Sequence, residues 1–212
     1  MLMFYMFNIN FEANFMSVAT QLPLSAQDYL DGERTAEQKH QLIDGVAYAM
    51  AGASRNHNRI TINTITQIEK QLMDGPYQTF SADMKVAASG DYYYPDVMVV
   101  CKEDEQDSDY VVHSPSLIVE VLSKSTRALD RSNKQVRYLQ IPSLEYYVLI
   151  EQDFCEITLL SREQGFIPQS FYFGDTMSLP AINVELEISE LYQQVKNEDM
   201  SKWLQNQAQH ES

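Results

Sequence analysis

The sequence predicts an α/β domain: a mixed β-sheet flanked by helices, with a β-hairpin on its N-terminal side. Three observations carry that expectation. Residues 95–100 and 117–122 are short, continuously apolar runs, the pattern of strands covered on both faces. After Ser54, the residues Ile60, Ile62, Ile65, Ile68 and Leu72 supply an apolar stripe of helical spacing over about five turns, which Ile62 widens. Around Asp44-Gly45, two apolar runs flank a residue pair that tolerates positive φ in a tight turn, so residues 41–50 read as strand, turn, strand. Strands interleaved with helices in this order build a sheet with helices packed on it.

The remaining elements follow in chain order. Ser25 caps a short helix over residues 26–30, with Asp28 in its first turn, and 31–38 is a polar loop. The long helix closes near Asp74-Gly75, and one or two strands lie between Tyr77 and Ala88. Pro95 stands at the mouth of its strand, where a missing N–H does least harm. Residues 103–109 form an acidic, solvated loop. Ser125 or Thr126 caps a helix running towards Gln140, which Pro142 stops. Runs at 146–150, 155–160 and 171–173 are strands, the first two joined through Gln152-Asp153. A short helix at 189–195 and a polar tail at 196–212 finish the chain. No Gly/Ser or Pro linker divides it, so 22–195 is expected to be one domain behind an N-terminal extension, 1–21.

Composition narrows the function. The chain has 212 residues, with 15 Lys and Arg against 30 Asp and Glu, for a net charge of -15. Such a protein repels a polyanion at long range, which argues against a general nucleic-acid coating protein but not against a nuclease with its basic residues gathered in one place. Cys101 and Cys155 have no second Cys or His at metal-ligand spacing and read as thiols in a reducing cytoplasm. No apolar run approaches the roughly 18 residues of a membrane span. The first fifteen residues are Met-rich and apolar but lack Lys and Arg, which makes a poor signal peptide. They are expected to be an upstream extension of a start at Met16.

The chemistry is expected where each apolar strand carries one acid. Asp96 opens the first and Glu120 stands near the end of the second. Carboxylates are rarely buried without a partner or a metal. If the strands pair antiparallel, the start of one lies beside the end of the other and the two carboxylates meet. Two hard oxygen ligands suit Mg²⁺ or Mn²⁺, with water and a substrate phosphate in the other positions and the Val121 carbonyl as a third protein oxygen. The competing reading has Asp96 capping a turn and Glu120 reaching solvent at a sheet edge.

A second feature is basic. Lys124, Arg127, Arg131, Lys134 and Arg137 fall within fourteen residues that hold Asp130 as their one acid. Arg127, Arg131 and Lys134 have the i, i+4, i+7 spacing of one helical face, which suits a phosphate backbone. The competing reading is a solvated face with an Asp130–Lys134 pair.

At this point the chain resembles a family. Tyr94-Pro95-Asp96-Val97, then residues 118–126, then Asp130, Lys134 and Tyr138, then Glu145-Tyr146-Tyr147-Val148 are similar to the Uma-type proteins of bacteria, assigned to restriction endonucleases of the PD-(D/E)XK superfamily. Leu42-Ile43-Asp44-Gly45, and Ser54 followed by His57, fit as well. The resemblance spans roughly residues 22–195. It implies a restriction-endonuclease-like fold, with Asp96 as the motif Asp and Glu120 as the motif acid. The usual motif lysine would fall at Leu122, so Lys134 is the implied replacement and Lys124 the second choice. His57 is placed near the site, and Asp44 belongs to the hairpin motif. Where the family carries Glu before Leu-Ile-Asp-Gly, this chain has Gln41, a weaker metal ligand.

The function expected is hydrolysis of phosphodiester bonds in DNA. Asp96 and Glu120 would hold the metal, Lys134 would act on the attacking water or the developing charge, and Arg127, Arg131 and Arg137 would hold the DNA backbone. The alternative is a weak or inactive nuclease fold kept as a binding module. The expected partners are DNA and, as an open option, a second copy of the chain, with no membrane.

Overall fold

The computed structural model describes residues 23–103, 109–124 and 126–210. The expectations for residues 1–21, and most of those for the acidic loop, lie outside the described residues. Ser25 caps α1 (Ala26–Glu33) by accepting a hydrogen bond from the Asp28 N–H at 3.1 Å. The hairpin forms as expected. β1 (His40–Ile43) and β2 (Val46–Ala49) flank Asp44 and Gly45, whose φ angles of 49° and 76° match the twist of antiparallel strands. A Cβ on Gly45 would stand 2.5 Å from the Cβ of Pro23, so both φ and space require glycine there.

α2 (Arg55–Leu72) starts at Ser54, whose Oγ accepts the His57 N–H at 3.1 Å. Its buried stripe is Ile60, Ile68 and Leu72, while Ile62 points to solvent. Next come β3 (Tyr77–Ser81), β4 (Lys85–Ala88), β5 (Asp91–Tyr93), β6 (Val97–Cys101), β7 (Val111–Val112) and β8 (Pro115–Leu122). Two short helices follow, α3 (Arg127–Asp130) and α4 (Asn133–Tyr138). The chain continues through β9 (Tyr146–Glu151), β10 (Glu156–Ser161), β11 (Gln169–Tyr172), β12 (Thr176–Leu179), β13 (Val184–Glu187), α5 (Ile188–Leu191) and α6 (Glu198–His210).

A six-stranded sheet, ordered β11-β10-β9-β8-β6-β3, carries the framework. β6 and β8 are antiparallel, with Val97 opposite Val119 and Met98 opposite Ile118. β8 and β9 are parallel, and α3 and α4 lie in the connection between them, as a parallel pair requires. The hairpin belongs to a five-stranded sheet, β2-β1-β5-β4-β7, and β12 and β13 pair with each other. Alternation along β8 separates two cores. Leu117, Val119 and Val121 pack with α2 and the β12–β13 pair, whereas Ile118 and Leu122 pack with Tyr93, Tyr138 and Tyr147.

Two expectations need correction. The helix from Ser125 or Thr126 towards Gln140 is broken at Arg131 and Ser132. Ser132 leaves helical geometry at φ -128°, ψ -100°, and its hydroxyl turns back to the Ala128 carbonyl. The presumed single face of Arg127, Arg131 and Lys134 therefore does not exist. The stretch expected as a polar tail forms α6, which packs on the domain: Met200 is buried, Asp199 accepts the Cys155 N–H at 2.9 Å, and Trp203 lies 5.1 Å from the Phe173 ring. Beyond the expected elements, β5, β7, β12 and β13 are further strands of two to four residues. Among the described residues no helix is long and apolar enough to cross a membrane.

Candidate active site

Asp96 sits one residue before β6. Continuing the Val97–Val119 register places it opposite Glu120, at the centre of the six-stranded sheet. The Asp96 carboxylate is held from two sides. Its Oδ2 accepts the Val121 N–H at 2.7 Å and stands 3.2 Å from His57 Nε2. Because His57 is fixed by the cap of α2, the long helix itself positions the Asp96 carboxylate. Val121 faces Asp96 through its N–H, and in a strand the carbonyl of the same residue points to the same side.

Glu120 is 3 % exposed. Its Oε1 accepts from Lys134 Nζ at 3.1 Å and from the Tyr138 hydroxyl at 3.0 Å. Burial pushes its carboxyl up to about 8. Lys134 opposes that rise, while the negative charges of Asp130 and Asp96 add to it. The Asp96 charge is thus felt at Glu120, as expected of two acids sharing one place. Lys134 is buried as deeply, at 4 % exposure, and also meets Asp130 Oδ1 at 3.0 Å, an ion pair without hydrogen-bond alignment. Burial alone would lower its pKa, but Glu120 and Asp130 more than compensate, so it is raised and the ammonium is kept. The Asp130–Lys134 pair expected on a solvated face is real but lies inside the protein. Burial, and then Glu120, raise the Tyr138 hydroxyl well above its ordinary range, so it acts as a neutral donor.

Gln41 points at the same interior. It shares a strand face with Ile43, which packs with Tyr93 and Tyr138, and the Leu42–Tyr92 register continued by one residue sets it opposite Tyr93. Lys134 Nζ lies 5.9 Å from the Tyr93 ring. The Gln41 Oε1 is buried and has no hydrogen-bond partner among the described residues, a condition that native proteins rarely leave unanswered.

The other predicted residues stand elsewhere. Arg127 makes a forked contact with Glu151, its Nη2 at 2.6 Å, and reaches Asp153 at 3.3 Å. Arg131 meets the same Glu151 at 3.2 Å. Arg137 joins Asp44 at 2.7 Å and Asp91 at 3.1 Å, which ties α4 to the hairpin turn. Lys124 is exposed beyond the end of β8. Sequence reasoning gave no role to Tyr138 and took Asp130 for a surface residue. Their i, i+4 and i, i+8 spacing around Lys134 and Asp130 was visible, but not the break in the helix that turns them inwards.

The donor set fits a hard divalent cation. It offers two carboxylates and, on the Asp96 side of Val121, one strand carbonyl, all oxygen ligands. A bound cation would offset the burial, and then the Asp130 and Asp96 charges, that raise the Glu120 carboxyl. Among the described residues no group of three or more His, Cys, Asp or Glu could hold a metal ion, so the protein would supply two acids and leave other positions to water and substrate.

Comparisons with known proteins give the family and the fold. The profile of the Uma2 family, described as "Putative restriction endonuclease", matches residues 26–190. The protein sll1609 of Synechocystis sp. is 42% identical over 144 residues, covering 66% of this chain and 81% of its own length. The protein slr1290 of the same organism is 31% identical over 173 residues, covering 80% and 91%. A crystal structure from Anabaena variabilis, titled as a "putative nuclease belonging to DUF820", superposes with a TM-score of 0.66 over 82% of this chain and 100% of that one. At 15% identity this match shows the fold. With a profile spanning the hairpin, both acid-bearing strands and the helices that carry Lys134, the chain belongs to the Uma2 family.

Proposed function

We propose that this protein is a metal-dependent endonuclease that hydrolyses phosphodiester bonds in DNA. The observation that carries the reading is the antiparallel register that sets Asp96 opposite Glu120, with a buried lysine on Glu120. Asp96, Glu120 and the Val121 carbonyl would hold Mg²⁺ or Mn²⁺. Such an ion, when bound, polarises a phosphoryl oxygen and acidifies a water. The rest falls to the chain's own groups. His57 and the Val121 N–H fix Asp96 through Oδ2, and the described hydrogen bonds to Glu120 fall on Oε1. One oxygen of each acid is thereby left to face the cation. Asp130 pins Lys134, whose ammonium would stabilise the negative charge that grows on the attacked phosphoryl group. Removing such a donor slows comparable reactions by about a hundredfold or more.

Gln41 favours a second reading, in which the fold binds nucleic acid but cleaves poorly. An amide at this interior position leaves the site with two acids where the resemblance implies a third. The test is a cleavage assay on plasmid and short duplex DNA with Mg²⁺ and then Mn²⁺. Wild type should cleave, and Glu120→Gln should fall at least about a hundredfold. Equal rates would remove Glu120 from the reaction. A silent wild type that gains activity through Gln41→Glu would establish the second reading.

A further inference from the structure

We infer that Lys85 and Lys39, gathered around Tyr94, form with the neighbouring Arg34 a phosphate-binding patch that takes the nucleic-acid backbone beside Asp96. The inference rests on the nuclease reading and gives it a substrate-holding surface. The arginines first expected in that role are engaged with Glu151, Asp153, Asp44 and Asp91, so the backbone contact is sought in other cations.

Lys85 opens β4, and the β4–β5 register, Val86 with Tyr93, continues to set it across from Tyr94. Its Nζ lies 5.0 Å from the Tyr94 ring, and Lys39 Nζ lies 5.8 Å from the same ring. Tyr94 is two residues before Asp96, in the short link between β5 and β6. The link Tyr94-Pro95-Asp96 therefore joins the patch to the first acid of the pair. Lys85 is 8 % exposed, yet no carboxylate closes on it at ion-pair distance among the described residues. Lysines are seldom buried in that condition. Burial lowers its pKa; Glu33 works against that, and the neighbouring charges of Lys39 and Arg34 deepen it.

The nearby acids answer other donors. Glu33 accepts from the His40 N–H at 2.8 Å and from the Tyr94 hydroxyl at 3.0 Å, and meets His40 Nδ1 at 3.2 Å. The exposed Asp83 pairs with Lys39. The Tyr94 ring offsets part of the desolvation of Lys85 through its π-face, but a ring brings no charge. A phosphate would supply Lys85 with the anion it lacks, and the charges of Lys39 and Arg34 beside it add to the attraction. Arg34 also lies over the exposed Tyr110 ring at 5.6 Å, the cation-and-aromatic arrangement that tracks a nucleic-acid strand.

The test is binding of a labelled DNA duplex in metal-free buffer, measured by anisotropy over a range of salt concentrations. Lys85→Gln should weaken binding several-fold and reduce the slope of log affinity against log salt by about 0.9, the value of one phosphate contact. Lys85→Arg should restore both. Lys39→Gln, on an exposed side chain, should lower the slope in the same way and serves if Lys85→Gln unfolds. Wild-type slopes in both glutamine variants, or a loss that follows Arg59→Gln on α2 instead, would overturn the patch. A wild type that binds no duplex would overturn it too. Lost cleavage in Glu120→Gln with an unchanged slope in Lys85→Gln keeps the nuclease and removes the patch. A lowered slope with no cleavage under any metal keeps the patch and removes the nuclease.

Discussion

The two faces of β8 were given opposite tasks. On one, Leu117, Val119 and Val121 enter a core drawn from α2, β12, β13 and α5, and the neighbouring side chains are apolar. On the other, Ile118 and Leu122 flank Glu120, and the tyrosine-rich core around them holds Lys134 and Asp130. The first face is ordinary hydrophobic stabilisation, in which close packing carries the energy. The second takes a lysine and two carboxyl groups out of water, and replacing such groups by apolar ones is often neutral or stabilising. A fold selected for stability alone has no need of them. The difference teaches that the apolar face builds the sheet, while the polar face holds a carboxylate in a defined place with a defined charge.

Three experiments sharpen this contrast, taken from the largest effect down. Lys134→Ala leaves Glu120 and Asp130 facing each other without a cation and should lower unfolding free energy by about 3–5 kcal/mol in urea titration. Ile150→Val, on the apolar face, should lower it by about 0.5–1.5 kcal/mol. If the two losses were equal, the charged cluster would not be set apart from ordinary core.

The second experiment follows the proton on Glu120. Its carboxyl is raised from 4.5 to about 8 by burial, against Lys134 and with Asp130 and Asp96. The folded state therefore holds a proton that the unfolded chain has lost. This contribution to stability is full below about pH 4.5 and disappears as pH rises towards 8. A cation needs the deprotonated form, so the stabilisation given by Mn²⁺ should grow across the same window. At a Mn²⁺ concentration about a hundred times the dissociation constant at high pH it should reach ~2.7 kcal/mol. It should be much smaller at pH 6, measured as the shift in melting temperature. Glu120→Gln should show neither pH trend.

The smallest effect belongs to Tyr138→Phe, which removes the hydroxyl 3.0 Å from Glu120 Oε1. A loss of about 1 kcal/mol is expected, with the fold unchanged. No loss would mean that Lys134 alone holds Glu120.

Much of the framework was legible because its signals are local. The Asp44-Gly45 turn, the Ser54 cap of α2 and the apolar runs of β6 and β8 each announce themselves within a few residues. The meeting of Asp96 and Glu120 followed from placing one acid at each end of two apolar strands. The partners of the arginines were not legible. Arg127 finds Glu151, twenty-four residues on, and Arg137 finds Asp44, ninety-three residues back. The burial of Lys134 was hidden for a related reason. A continuous helix would have kept it on a face with Arg127 and Arg131, and the break at Ser132 became visible only in three dimensions. Short strands such as β7 are defined by their neighbours and carry little pattern of their own.

The central claim is that Asp96 and Glu120 together bind a divalent cation. Calorimetric titration of Mn²⁺ at pH 8 into wild type, Asp96→Asn and Glu120→Gln tests it without reference to cleavage. The account predicts one ion bound per wild-type chain and a loss of at least tenfold in affinity for either variant, since an amide is a poorer ligand than a carboxylate for a hard cation. Wild-type affinity in either variant, or no binding to the wild type, would contradict it.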